Sequence, residues 1–250
     1  MPSAFYMPLH DQRINWGFHS EPEPELDHRR IHCPRGKVLG GSSSINGMVY
    51  IRGNKKDFDG WEELGARGWN HELVLPYFKK AQKAEGRSTP HSFQGHDGPI
   101  ATTTGQMTNP LYNAFLEATL SAGYPSNLDV NGPTQEGFGP IPMTVDAGVR
   151  ASTYRAYIDR NPQQKNLTIA TNANAQKIVL RHGKAEGVCY SQGKKLITSF
   201  AKSEVILCAG AISSPQLLML SGIGDAEGLG KFQTKTHADL PGVGKNLMDH

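Results

Sequence analysis

Apolar positions change their spacing along the chain, and the changes divide it into regions. Residues 1 to 35 carry no sustained period, and PEPE at 22–25 interrupts any helix because proline has no N–H to donate. Leu73, Leu75, Tyr77 and Phe78 predict a short amphipathic helix over 73–83, with Pro76 near its start. The clearest helix follows Asn109: that residue can cap and Pro110 suits the first helical position. Leu111, Phe115, Ala118 and Ala122 then share a face, and Gly123 can end the helix in the left-handed conformation. From Asn166 the period becomes alternating, in NLTIAT (166–171), KIVLR (177–181) and GVCYS (187–191). That predicts an antiparallel meander with a turn at His182 to Lys184. EVILC (204–208) is a continuous apolar run, as in a strand buried on both faces. It leads through Ala209, Gly210 and Ala211 into a helix that Ser214 caps, Pro215 opens and Gly222 ends.

A buried strand, a glycine turn and a helix N-terminus form a βα unit of the nucleotide-binding type. The densest small-residue run, RGKVLGGSSSING (35–47), has a different character. A solvated linker would not carry Val38, Leu39, Ile45, Met48, Val49 and Tyr50 in or beside it, so the run is expected to pack against something flat or phosphorylated. Gly40 and Gly41 would let the backbone approach closely. The Ser42 to Ser44 hydroxyls could bond phosphate or ribose, and Asn46 with Gly47 could present amides to a ring edge.

Composition narrows the function classes. With 28 Gly and 16 Pro in 250 residues the chain is loop-rich, and it has no apolar run long enough to span a membrane and no signal peptide. A net charge of +3, scattered along the chain, argues against nucleic-acid binding. Cys33, Cys189 and Cys208 lie far apart with no metal-ligand spacing, so they read as free thiols in a reducing compartment. His28, His32, His91 and His96 sit in polar loops, and no G-x-S-x-G elbow accompanies the three serines, which leaves a serine hydrolase without support. Trp16, Trp61 and Trp69 have no spacing that implies a cation cage, and packing is expected for each.

Two segments, GKVLGGSSSINGMVYIRGNKKDFD (36–59) and GAISSPQLLMLSGIG (210–224), resemble both signature segments of the glucose-methanol-choline family of FAD-dependent oxidoreductases. YNAFLEATLSAGYP, NGPTQEGFGP, NLTIATNANAQKIVL and LPGVGKNLMDH extend the resemblance, and they are most similar to the choline-oxidising members. The resemblance implies an α/β fold: an incomplete Rossmann-like FAD-binding domain from 1–60 and 160–250, with 61–159 as the first part of a discontinuous substrate-binding cap domain. By position it places Arg35, Gly40, Gly41, Ser42 and Ser43 along the diphosphate and ribityl side of FAD. Asn46, Gly47, Met48 and Val49 fall at the isoalloxazine, Ala175 near the adenine, and Gly210 and Ser214 at the strand-to-helix turn of the second signature.

The family begins with a G-x-G-x-x-G turn, which these residues lack, and ends with a catalytic histidine region beyond His250. By resemblance His250 closes the family's NLxDH segment, a structural and flavin-side turn, and is not the catalytic histidine. The chain is therefore expected to be an interior fragment, inactive alone, and it contains no assigned catalytic residue and no metal site. The implied reaction is oxidation of a small alcohol, choline by resemblance, to betaine aldehyde with hydride transfer to flavin N5. The electron acceptor is left open, and the implied location is cytoplasmic or peripheral on the cytoplasmic face of the membrane. Some relatives bind FAD covalently through a histidine in the first signature. Here that position is Ile45, which has no nucleophilic atom, so non-covalent FAD is expected with Ile45 against the dimethylbenzene edge. The alternative from a different class is a non-catalytic flavin-binding module.

Overall fold

Asn54, Asn70, Asn109 and Asp225 each accept a backbone N–H in the first turn of the helix that follows, so four helix starts are set by side chains written into the sequence. The computed structural model describes residues 2–85, 93–160 and 164–248; His91 and His250 lie outside them. Two compact units divide the chain, Met1–Lys165 and Asn166–His250.

The first unit opens with α1 (Tyr6–His10) and the antiparallel pair β1 (Phe18–His19) and β2 (His32–Cys33). Then come α2 (Lys55–Glu63), α3 (His71–Ala81), β3 (Gln82–Ala84), β4 (Ile100–Thr104), α4 (Pro110–Ser121), β5 (Pro142–Met143), β6 (Val145–Asp146) and β7 (Val149–Arg150), followed by a π-helical turn at Tyr154–Asp159. β4 is central to a small mixed sheet, parallel to β3 and antiparallel to β5. Helix α3 starts two residues earlier than its apolar spacing predicts, because Asn70 caps it. Pro76 therefore lies in its interior and costs one ladder bond. Packing of Phe58 edge-on to Phe78, with ring centres 5.6 Å apart, holds α2 against α3.

Helix α4 forms as expected, with Asn109 capping and Gly123 at φ +84° past its end. Its predicted buried face is nonetheless open. Leu111 is 76 % exposed, and Thr119 is the buried member. Phe115 makes an edge contact with Phe138. Caps and backbone preference decide that a helix forms, and not which side of it is covered. The tryptophans are about half exposed, Trp61 edge-on to Trp69 and Trp16 stacked on Phe18, which is partial packing and no cage.

The second unit is built on a meander of β8 (Ala173–Arg181), β9 (Lys184–Gln192) and β10 (Lys195–Phe200). The hairpin turn lies where expected, with His182 and Gly183 both at positive φ. NLTIAT forms no strand; β8 starts after it, and the third strand is instead KLITSF, whose alternation is masked by exposed residues on both faces. A larger correction concerns residues 204–208, which form no strand, with Ile206 75 % exposed and Cys208 also exposed. A strand buried on both faces needs partners on both sides, and no described residue pairs with this run. Helix α5 (Gly210–Leu220) accordingly starts without a side-chain cap, and Ser214 and Pro215 lie inside it.

Gly222 ends α5 as predicted, at φ +81°, and a Cβ there would lie 2.2 Å from the Lys235 carbonyl oxygen. A short crossover follows, from β11 (Ile223–Gly224) through α6 (Ala226–Lys231) to the parallel β12 (Ala238–Asp239). Helix α5 packs on β8 through the buried Ser221. The Ser221 hydroxyl donates to the Leu217 carbonyl at 2.6 Å and accepts the Ile178 N–H at 2.8 Å. Ser221→Ala strands a buried N–H, so a loss of about 1–3 kcal/mol is expected in chemical denaturation of the protein, with Ser221→Thr losing less.

In the first unit the His10 and His32 rings lie 5.6 Å apart and those of His19 and His32 4.9 Å apart, beside Lys37. Burial first, then the charges of His19 and His10, hold His32 below the ordinary histidine value of 6.5. The unfolded chain thus binds a proton that the folded chain resists. Stability is full above about pH 6.5 and falls as pH drops below it. Thermal melts at pH 7.5 and 5 should show a smaller drop for His32→Asn than for the wild type.

Candidate functional site

Residues 35–49 have almost no regular structure, so their backbone groups must find partners one by one. At the entrance, Asn15 is buried and its Oδ1 accepts the Arg35 N–H at 3.0 Å, while the Trp16 N–H donates to the Arg35 carbonyl at 3.0 Å. At the exit, the Thr144 N–H donates to the Met48 carbonyl at 2.7 Å and the Tyr50 N–H to the Pro142 carbonyl at 2.9 Å. Between these points the chain turns back on itself through a 3-10 turn at Gly41–Ser44. Gly36 is required there, because a Cβ would sit 2.2 Å from the Gly41 oxygen. Gly40 is required twice over, at φ +87° and with a Cβ position 2.5 Å from Ser44 Oγ.

The serines do not stand free to meet phosphate. Ser42 Oγ accepts the Gly36 N–H at 3.1 Å, Ser43 Oγ donates to the Gly40 carbonyl at 2.5 Å, and Ser44 Oγ donates to the Leu39 carbonyl at 2.7 Å. Ser43 Oγ also accepts the Thr153 N–H at 3.0 Å. All three hydroxyls thus bond the loop's own backbone, but Ser43 and Ser44 spend their O–H on carbonyls whereas Ser42 only accepts and keeps its O–H to donate to a ligand. Ile45 and Met48 are each 1 % exposed. Their side chains anchor the loop in the first unit's core, so the expected contact of Ile45 with a ring edge is replaced by burial in protein. Met48 adopts φ +65°, a conformation rarely taken by a side-chain-bearing residue. The face left open consists of Ser42, Asn46, Gly47 and Val49, with Val49 55 % exposed. A Cβ on Gly47 would meet nothing within 4 Å.

The structure thus gathers Arg35, Gly40, Gly41, Ser42, Ser43, Asn46, Gly47, Met48 and Val49 in one braced loop. The other three candidates belong to the second unit. Gly210, exposed at φ +88°, and Ser214, half-buried, lie one turn apart on α5. Ala175 is an exposed member of β8 opposite Tyr190, immediately before a bulge, rather than at a strand end.

Sequence reasoning missed two residues that hold the first-unit loop, Arg150 and Thr153, and a third, Arg52, that lies just after it. Arg150 Nη1 donates to the carbonyls of Ser43 and Asn46 and to Asn46 Oδ1. Thr153 bonds Ser43 and Gly40. Arg52, only 8 % exposed, donates to Gln82 Oε1 and to the Phe93 carbonyl, each at 2.5 Å. Its own backbone N–H is taken by Asn131 Oδ1. Nothing local in sequence marks partners about a hundred residues apart. The one available signal was an arginine directly after the small-residue run with no acidic neighbour at helical spacing.

The open face fits a flat, amide-bearing ring: a side-chain-free patch at Gly47, an apolar rim at Val49, and amide donors at Asn46. Comparison with known proteins identifies the group of enzymes that shares this loop. The model of the GMC oxidoreductase family matches residues 17–250. The chain belongs to the GMC oxidoreductase family. An oxygen-dependent choline dehydrogenase from Vibrio vulnificus (strain YJ016) is 50 % identical over the whole chain, which covers 45 % of that protein. Among solved structures, pyridoxine 4-oxidase from Mesorbium loti superposes with a TM-score of 0.90 at 30 % identity, over 100 % of this chain and 49 % of that one. An FAD-dependent oxidoreductase from Chaetomium thermophilum gives 0.88 at 32 % identity, over 94 % of this chain and 43 % of that one. The chain thus spans less than half the length of the curated GMC relatives it matches. Within this GMC chain, Gly36→Ala should abolish the packed loop. The expected result is a melting temperature lowered by several degrees and faster proteolytic cleavage between residues 35 and 49, with Gly47→Ala, which meets no atom, close to wild type on both measures.

Proposed function

We propose that this chain is part of an FAD-dependent alcohol dehydrogenase that oxidises choline to betaine aldehyde. The observation that carries the reading is the 47–50 % identity, across the full chain, to proteins named oxygen-dependent choline dehydrogenase. On this reading 1–60 and 160–250 contribute to FAD binding and 61–159 to the substrate-binding side. Bound FAD supplies the two-electron acceptor for the alcohol. The chain's own residues bind and orient it: Arg35 and the Gly40 to Ser43 backbone toward the diphosphate and ribityl portion, Asn46 to Val49 toward the ring. Ala175, Gly210 and Ser214 are the second unit's contributions. None of these residues is assigned as the base that removes the hydroxyl proton.

Attachment of FAD is non-covalent on this reading, because Ile45 is both enclosed and without a nucleophilic atom. Among the described residues no helix is long and apolar enough to cross a membrane. A position in the cytoplasm or at the cytoplasmic membrane face, with oxygen as the terminal acceptor that the relatives' names state, completes the proposal. The match to pyridoxine 4-oxidase favours one second reading, a different primary alcohol at the same ring. Two measurements test these statements. Acid precipitation of the flavin-loaded protein should leave the pellet colourless with free FAD in the supernatant; flavin fluorescence retained on the polypeptide overturns non-covalent attachment. Anaerobic bleaching of the oxidised-flavin absorption band of the full-length enzyme should follow addition of choline; bleaching by pyridoxine and not by choline transfers the assignment to the second reading.

A further inference from the structure

The Asn46 side chain is held in one orientation from two sides. Its Oδ1 accepts from Arg150 Nη1 at 2.9 Å and from the Met48 N–H at 3.1 Å. A carboxamide carries its oxygen and its NH2 on opposite arms of one plane. Turning it over would set the NH2 hydrogens against a guanidinium N–H and a backbone N–H, so the flipped state loses both bonds and gains two donor-donor contacts. With the oxygen taken by these two donors, Nδ2 has no acceptor among the described residues and belongs to a residue that is exposed together with Gly47 and Val49. The same Arg150 nitrogen donates to the Ser43 carbonyl at 3.2 Å and the Asn46 carbonyl at 2.7 Å, so one group fixes both the turn and the amide it carries.

Arg150 is suited to this by what it lacks as well as by what it touches. It is half-buried and forms no ion pair with a carboxylate among the described residues. Its charge is therefore directed at the loop's oxygens. Desolvation pushes its pKa down from the ordinary arginine value, yet guanidinium stays protonated in water. All three contacts are made by Nη1, and lysine could supply the charge but not the rigid guanidinium plane that fixes where that nitrogen sits.

We infer that Arg150 is a positioning residue of the flavin site, which locks Asn46 so that its side-chain NH2 is a fixed hydrogen-bond donor to a carbonyl or ring-nitrogen acceptor of a flavin laid over Gly47. The inference rests on the FAD reading above and adds to it the residue that orients the ring-facing amide.

Asn46→Asp separates positioning from simple structural support. The carboxylate keeps an oxygen for Arg150 and Met48 N–H and gains a charge-assisted bond, while it replaces the outward donor with an acceptor. The ligand-free protein should melt at or above the wild-type temperature. FAD affinity, from quenching of flavin fluorescence on titration, should fall about tenfold or more, and the absorption band of the flavin still bound should shift. Arg150→Met should lower both affinity and melting temperature, and Arg150→Lys should recover the melting temperature more fully than the affinity. Wild-type FAD affinity in Asn46→Asp overturns the inference, and so does a loss of affinity matched by an equal loss of thermal stability. Full-length wild-type protein, in which all the FAD measurements are made, overturns the underlying flavin reading if it takes up no FAD, and this is recognised before any variant is compared.

Discussion

Backbone N–H and C=O groups removed from water must be paired, and a loop without helix or ladder must find each partner separately. The segment from Arg35 to Val49 lives under that constraint, and much of the first unit is arranged to meet it. Asn15 receives it at one end, and the Pro142 to Thr144 strand edge receives it at the other. Arg150 and Thr153 close the middle. The glycines follow from the same requirement, because Gly36 and Gly40 occupy places where the chain approaches itself too closely for a Cβ. Beyond Gly41, what remains outward is Ser42, Asn46, Gly47 and Val49, of which Gly47 alone has no side chain.

A second polar system supports the exit of this loop. Arg52 connects to Gln82, and Gln82 Nε2 donates to Thr102 Oγ1 at 3.0 Å, so a guanidinium, a carboxamide and a hydroxyl run through the interior from the loop to the β3–β4 pair. Arg52 lies 5.5 Å over the Phe78 ring and 5.8 Å over Tyr50. Neutral acceptors and aromatic faces thus take the place of a carboxylate beside a buried cation. The network is satisfied except at Arg52 Nε, which is buried with no hydrogen-bond partner among the described residues.

Local features were the legible part of the sequence. Asn109, Pro110 and Gly123 announce α4, and the His182–Gly183 turn announces its hairpin, since cap and turn chemistry act within a few residues. The small-residue run was legible as a packed loop rather than a solvated linker because of the apolar residues in it, of which Ile45 and Met48 are buried. Features that depend on partners elsewhere were not. Residues 204–208 carry the composition of a central strand but have no strand beside them among the described residues, and Leu111 has the period of a core residue on an open face. Ser43 and Ser44 donate to carbonyls of the loop itself, partners that are decided by what folds back onto them. Arg150 and Thr153 carry no local mark at all.

The separation of the loop from its braces also sets an order of events during synthesis. Arg150 and Thr153 lie 104 to 113 residues after the loop positions that they hold. At roughly 5–20 residues per second, a ribosome takes on the order of 5–20 s to cover that distance. Throughout that interval Gly40, Ser43 and Asn46 are outside the tunnel without the groups that fix their shape. The nascent loop is thus exposed to chaperones and proteases before it can take its packed shape, and its assembly is timed by translation rather than by its own sequence.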